Sequence, residues 1–308
     1  MKPTEPTGPR SSFYFKSSDA EILKRLVEYQ FLQPEDLRKL TGRNIVSLRR
    51  RLRQLVHRGY LDRLTLPLER DAPIGSPPDS FVYQLVSLGI LKAREYGFAD
   101  DQRYTREKSN LLLPHDLLIT KIHLTLELAT RATPLQLIAW EQRRSALLDW
   151  ADDGIGRLSV NPDALFALKD GEKRENENTN YFFLELVRSR ESDYQRQQSY
   201  FMRKMRAFLA YYRQGRHTAR YGIKNFRVLT VTPTPQRAFN LCEKLERNGL
   251  AFKRFWFTDL SAVDPDNPGR VLEEIFFTPK DFREGIRYSL RGDRLPYPEG
   301  IAIANRAR

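Results

Sequence analysis

Arg43-Asn-Ile-Val-Ser-Leu-Arg-Arg-Arg-Leu-Arg-Gln-Leu-Val-His-Arg58 contains six arginines and no acidic residue. Ile45, Leu48, Leu52 and Leu55 recur at i, i+3, i+7 and i+10, one stripe of a helix. Arg49, Arg50 and Arg53 fall mostly off that stripe. A helix that buries one side and concentrates positive charge on another suits the major groove of DNA. A solvated basic face, or a helix making protein contacts, would carry the same charge. The preference for arginine over lysine favours DNA, because the guanidinium fork matches phosphate or guanine bidentately.

The flanking residues build a module around this helix. Residues 1–14 read as a flexible arm and 15–99 as a winged helix-turn-helix. A first helix runs from about Asp19 to Tyr29, capped by Asp19, with Ile22, Leu23, Leu26 and Val27 facing inward. A second starts near Pro34, a favoured first-turn residue, and stops at Thr41-Gly42. Asn44 or Thr41 caps the arginine-rich third helix, Gly59 closes it, and Tyr60-Leu61 begins a strand. Residues 62–80 are rich in Pro, Gly and charge and predict the tip of a wing. Phe81 to Leu85 is its return strand, and a helix follows from Ser87 or Gly89 to Tyr96. The candidate DNA-binding residues here are Arg43, Asn44, Ser47, Arg49, Arg50, Arg53 and Arg58. Arg43 is expected near phosphate at the helix start, while Arg51 could equally flank the core.

At 308 residues the chain has room for two domains. Hydrophobic residues make up 40 %, so it folds, and the net charge of +13 attracts polyanions. No stretch has the apolar length of a transmembrane span, and the N-terminus lacks the apolar core of a signal peptide. A single cysteine, Cys242, makes no internal disulfide, and the four histidines show no zinc-ligand spacing. These features point to the cytoplasm, with no membrane partner and with nucleic acid as the polyanion.

Residues 100–112 read as a polar linker, 113–278 as a mixed-sheet α/β domain, and 279–308, rich in Arg, Gly and Pro, as a loosely packed tail. The domain opens with a helix from Leu113 to about Ala129, which carries His115 and His123 on different faces. Leu135 to Trp140 is a strand. Leu158 to Asp163 and Ala164 to Leu168 are expected to pair across a bend at Pro162, and 169–180 to form a hairpin tip or loop. Tyr181 to Val187 is an apolar strand interrupted by Glu185, which if buried must pair or accept hydrogen bonds. A helix from about Ser192 to Tyr212 buries Phe201, Met205, Phe208 and Tyr212. Phe226 to Val231, Pro235 to Arg247 and Phe252 to Phe257 then spell strand, helix, strand, a parallel crossover.

From Tyr194 to Cys242 there are ten Lys/Arg residues and no Asp or Glu. Arg203, Arg206, Arg213, Arg216, Arg220 and Lys224 are candidates for a second phosphate-contacting surface, with Tyr211, Tyr212 and Tyr221 as aromatic surface. An evenly solvated basic helix is the plainer alternative.

Asp163 and Glu185 sit on consecutive strands, an arrangement that resembles the PD-(D/E)xK nucleases. That resemblance implies paired carboxylates holding Mg²⁺ and a lysine assisting attack by water. The chain as a whole resembles the replication-relaxation family of plasmid and mobile-element proteins. The residues that carry this are Tyr83-Gln-Leu-Val-Ser-Leu-Gly89, His115, Asn161-Pro-Asp163, Phe183-Leu-Glu-Leu186, Arg190-Glu191, Lys204 and Tyr211, taken in order. It departs from the pattern where catalysis matters: Val187 stands two beyond Glu185, where the nucleases place lysine, and Ser189-Arg190 replaces a Gly-Thr turn.

The expectation is therefore a sequence-specific double-stranded DNA-binding protein without chemistry or cofactor. It would act as a homodimer in plasmid or mobile-element replication, transfer or transcription, with a replication or conjugation protein as a further partner. The alternative is a Mg²⁺-dependent endonuclease or nickase, with Asp163 and Glu185 as metal ligands and Lys204 as a displaced catalytic lysine. In the plainer reading Asp163 only caps a turn and Glu185 only pairs with Arg188 or Arg203. A tyrosine relaxase is disfavoured, since no histidine triad accompanies the tyrosines. An adaptor that binds protein through the acidic turns near Asp259 to Asp266 is a third class.

Overall fold

The computed structural model describes residues 13–65, 81–99, 113–175, 178–187, 194–292 and 294–295. Most of the expected arm, the wing tip from residue 66, the linker, Arg188, Arg190-Glu191 and the end of the expected tail lie outside these residues. Backbone contacts divide the chain into two units, Met1–Leu113 and Pro114–Arg308.

The first unit has the winged helix-turn-helix order. Helices α1 (Ser17–Tyr29), α2 (Pro34–Thr41) and α3 (Ile45–His57) are followed by strands β1 (Leu61–Thr65) and β2 (Phe81–Leu85) and by α4 (Ser87–Glu95). β1 and β2 pair antiparallel, and Leu32 makes an isolated antiparallel bridge to Tyr83. Leu48, Leu52 and Leu55 of α3 are fully buried, each contributing about 1.5–3 kcal/mol by leaving water. Asn44 is the α3 cap: its side chain accepts from the backbone N–H of Val46 (3.0 Å) and Ser47 (3.2 Å). Asp19 does not cap α1. Lys16 holds the cap position and donates its backbone N–H to the Asp19 carboxylate, because Asp19 sits inside the first turn.

The second unit is a five-stranded mixed sheet between helical layers. It opens with α5 (Leu113–Thr130) and β3 (Leu135–Glu141), then a short α6 (Arg144–Leu147). Next come the strands β4 (Asp149–Asp152), β5 (Arg157–Val160), β6 (Ala164–Asp170) and β7 (Thr179–Leu186). α7 (Tyr194–Arg213), α8 (Arg216–Tyr221), β8 (Arg227–Thr232), α9 (Pro235–Arg247) and β9 (Phe255–Asp259) complete the frame. The sheet order is β3-β6-β7-β8-β9. The β3-β6 and β6-β7 pairs are antiparallel, and the β7-β8 and β8-β9 pairs are parallel. Phe182 and Leu184 face a core with Ile119, Ile122 and Leu126 of α5, while Phe183 faces Phe208 of α7 and Leu241 of α9. Cys242 is a buried core thiol that burial pushes well up.

Two expectations fail here. Residues 158–163 do not pair with 164–168. β5 instead folds back on β4 around Asp153-Gly154-Ile155-Gly156, where Gly154 takes a positive φ and the Asp153 carboxylate accepts from the Ile155 and Gly156 N–H groups. The chain from 279 to 292 is not a loose tail. Tyr288 and Leu290 are buried with Trp256 and Phe276, and Tyr288 donates its hydroxyl to Asp281 at 2.6 Å. Aromatic residues spaced among the charges carry that packing; the overall composition of the segment hides them.

Candidate nucleic-acid interface and buried carboxylate cluster

The arginines of α3 divide by direction. Arg51 turns inward: its Nε and Nη2 donate to Asp19 at 2.7 and 2.5 Å, and Nη2 also reaches the Tyr14 carbonyl. Two hydrogen bonds and the Asp19 charge outweigh desolvation and raise the Arg51 pKa. Arg49 is half-buried and lies 3.5 Å from Glu35 of α2. Arg43 donates to the Ser18 carbonyl at 3.1 Å. Arg50, Arg53 and Arg58 are exposed, as are Asn44, Ser47 and Val46, the last with 72 % of its surface open. Arg58 also lies over the Phe13 ring at 5.3 Å.

The outward strip of α3 thus carries Asn44, Val46, Ser47, Arg50 and Arg53. Beside it, Arg49, Arg53, Arg63 and Phe81 line a cleft of about 300 Å³ against the β1-β2 ribbon. Arg63 stacks its guanidinium 4.1 Å from the Phe81 ring centre. Nothing in the sequence singles out Arg63. Its place on β1 opposite Tyr83 brings it beside α3, a register that appears only once the strands are paired.

In the second unit Asp163, Glu185 and Lys204 meet, and His115 joins them. Asp163 directly precedes β6; its N–H donates to the Leu184 carbonyl, and its Oδ2 accepts from the Leu186 N–H at 2.8 Å. His115 Nε2 lies 3.4 Å from the same oxygen. Side chains alternate along a strand, so Glu185 shares the inward face of Phe183 and meets α7. There Lys204, one turn from Phe201 and Phe208, donates to Glu185 Oε2 at 2.5 Å. Glu185 is 3 % exposed, and burial pushes its carboxyl up to about 7 against the pull of Lys204. Burial pushes Asp163 up as well, but the His115 contact and the Lys204 charge hold it below the usual carboxylate range. Lys204 is disfavoured by burial, yet the two carboxylates raise its pKa.

Glu185 therefore pairs with Lys204, and Arg203 is exposed at the surface. The sequence places His115 on α5, on a different face from His123, but its spacing gives no sign of its approach to Asp163. His123 is buried separately, stacked 4.2 Å from Trp140. Two of the cluster's carboxylate oxygens are already engaged in this structure. The ammonium of Lys204 sits on one Glu185 oxygen, and Asp163 Oδ2 is taken by the Leu186 N–H. Among the described residues no group of three or more His, Cys, Asp or Glu is arranged to hold a metal. Glu185 Oε1 and Thr230 Oγ1, on neighbouring strands, are buried without hydrogen-bond partners among the described residues.

The basic candidates of α7 and α8 are partly engaged by the β4-β5 hairpin. Arg206 is ion-paired with Asp153, Arg216 with Asp149 at 2.8 Å, and Arg220 with Asp149 at 3.3 Å. Arg203, Arg213 and Lys224 are exposed. Tyr211 is not aromatic surface: it is buried and donates its hydroxyl to Asp149 at 3.0 Å, and Tyr212 and Tyr221 are half-buried. The hairpin brings these carboxylates to α7 from more than 50 residues away, which local composition cannot reveal.

A family model described as replication-relaxation matches residues 23–226, about two thirds of the chain. The chain matches no curated protein and no solved structure. No described helix is long and apolar enough to cross a membrane.

Proposed function

The chain belongs to the replication-relaxation family, and we propose that it is a sequence-specific double-stranded DNA-binding protein whose reader is α3. Family membership ties it to replication-associated processes of plasmids and mobile elements. Within these it acts as a regulator or accessory factor. The observation that carries the reading is the outward strip of α3, where Asn44, Val46, Ser47, Arg50 and Arg53 stand exposed above a leucine face buried in the unit. In the major groove Arg50 and Arg53 supply guanidinium forks for guanine or phosphate, Asn44 and Ser47 supply polar contacts, and Val46 supplies an apolar surface for a thymine methyl. Arg63 and the β1-β2 ribbon sit where backbone contacts fix register. A homodimer on paired half-sites would multiply this specificity.

Gel shifts with DNA from the chain's own origin or promoter region test the proposal. A salt-sensitive, sequence-dependent complex is expected. Arg50→Ala with Arg53→Ala should weaken it by at least about tenfold, as loss of one good base contact is worth ~1–3 kcal/mol. A folded protein that forms no such complex removes the reading.

The second reading, a Mg²⁺-dependent endonuclease or nickase, draws on the meeting of Asp163, Glu185 and Lys204. A divalent cation there would face the Lys204 ammonium at close range, so the cluster serves better as an internal polar tie. Supercoiled plasmid incubated with the protein and Mg²⁺ or Mn²⁺ should stay intact. Cleavage that disappears in Glu185→Ala would establish the nuclease instead.

A further inference from the structure

A cleft of about 490 Å³ opens among the β4-β5 hairpin, α7 and α9, away from the buried carboxylate cluster. Arg157, Arg203, Arg206 and Lys244 are four cationic residues among those that line it, against a single acidic one, Asp153. That carboxylate is already engaged. It accepts from the backbone N–H groups of Ile155 (3.0 Å) and Gly156 (3.1 Å) and is ion-paired with Arg206. Arg157 and Arg203 are exposed and have no acidic partner among the described residues. Arg157 lies over the Trp150 ring, 4.6 Å from its centre, which limits the freedom its guanidinium loses on binding a ligand.

The cationic surface continues beyond this cleft. An adjoining hollow shares Asp153, Ile155 and Arg206 and adds Arg213. Arg203, Arg206 and Arg213 stand at i, i+3 and i+10 of α7, a stripe about 15 Å long at ~1.5 Å of rise per residue. One strand of duplex DNA carries a phosphate every ~3.4 Å of axis, so a stripe of this length faces several phosphates in succession. With Arg206 already paired to Asp153, a lone phosphate satisfied by one guanidinium fork would leave the other exposed arginine of the stripe unneutralised. A cleft with a strong excess of one sign of charge concentrates ligands of the opposite sign.

We infer that this cleft is a second phosphodiester site, which grips the backbone of DNA through Arg157, Arg203 and Arg213, with Lys244 adding positive potential from α9. The inference rests on the reading of the chain as a DNA-binding protein, but it uses none of the α3 residues. Arg216 and Arg220, tied to Asp149, lie outside it.

Fluorescence anisotropy of the full chain with a labelled duplex, titrated over a range of salt, tests the assignment. Three variants are compared: Arg157→Ala with Arg203→Ala, Arg50→Ala with Arg53→Ala, and all four together. The cleft variant should bind about tenfold more weakly, and its slope of log K against log salt should fall by about two, one for each phosphate that no longer meets an arginine. The same weakening should appear in the α3-variant background. Arg157→Lys with Arg203→Lys should restore most of the slope, which separates missing charge from a damaged fold. Unchanged affinity and slope in both backgrounds would overturn the assignment. So would a cleft variant that loses only binding of a free mononucleotide while duplex binding stands. If the α3 variant binds like the parent while the cleft variant does not, the reader assigned to α3 falls and the cleft remains.

Discussion

Asp19 and Arg51 are joined by two hydrogen bonds, of 2.7 and 2.5 Å, across 32 residues of sequence. The Asp19 side chain is wholly buried, and its Oδ2 also accepts the Lys16 N–H at 2.7 Å. One carboxylate therefore fixes the start of α1 and anchors α3 through the arginine that faces away from solvent. Removing one partner of a buried pair leaves the other charge without compensation, at a cost of about 3–5 kcal/mol. Asp19→Ala is expected to lower the unfolding free energy of the N-terminal unit by roughly that amount in a denaturant titration. A loss under about 1 kcal/mol would show that Arg51 finds another partner, within the scale of an exposed pair.

Asn44 offers a way to separate helix capping from DNA contact. Its Oδ1 caps α3 through Val46 and Ser47, while its Nδ2 takes no part in that cap. Asn44→Ala should cost about 1 kcal/mol of stability. Asn44→Asp keeps a capping oxygen and adds negative charge at the helix start, where the macrodipole favours it. Thermal unfolding should therefore report Asn44→Asp as neutral or slightly stabilised, while anisotropy reports weaker DNA binding. Unchanged affinity in Asn44→Asp would remove Asn44 from the interface.

Much of this was legible in the chain. The leucine stripe of α3, the Pro34 start, the Asn248-Gly249 stop of α9 and the β8-α9-β9 crossover follow from periodicity and capping alone. Lys204 could be read toward the sheet, because it falls in the apolar stripe of α7 beside Phe201 and Phe208. What stayed hidden depends on pairing across long stretches. The β4-β5 hairpin is absent from the sequence reading, and only the fold shows that its carboxylates reach Arg206, Arg216 and Arg220. Arg51 and Arg50 are adjacent and chemically identical; the leucine stripe puts Arg51 at its flank and Arg50 opposite it, but that Asp19 receives Arg51 shows only in the fold.

Gly89 has a steric reason for being glycine. A Cβ there would come 2.0 Å from the Tyr60 carbonyl oxygen and 3.1 Å from Leu85 Cδ2. The first of these is backbone and cannot swing aside, so α4 would have to move away from the start of β1. Gly89→Ala should destabilise the N-terminal unit by at least about 1–3 kcal/mol, despite alanine's better helix propensity. Hydrogen exchange should locate the loosened segment at α4 and the Tyr60 turn. A stabilised variant would mean that this close approach does not persist in solution.

Glu185 should leave a signature in the pH dependence of stability. Its folded carboxyl holds a proton up to about 7, whereas the ordinary value is 4.5. Between those values the folded state binds more protons than the unfolded chain. Stability must then fall as pH rises through that window, by up to ~1.4 kcal/mol per pH unit, and level off above it. Asp163 works in the opposite sense: its pKa is lowered, so its contribution is present above its ordinary 3.8 and is lost as pH falls through the folded value. Lys204, with its pKa raised above 10.5, contributes stability that is complete below 10.5 and lost as pH rises through its folded value. Neither produces a slope between 4.5 and 7, so a slope there that vanishes in Glu185→Gln belongs to Glu185. Denaturant unfolding across the window decides the matter. If Glu185→Gln keeps the full slope, the Lys204 ion pair holds Glu185 ionised throughout, and another group titrates.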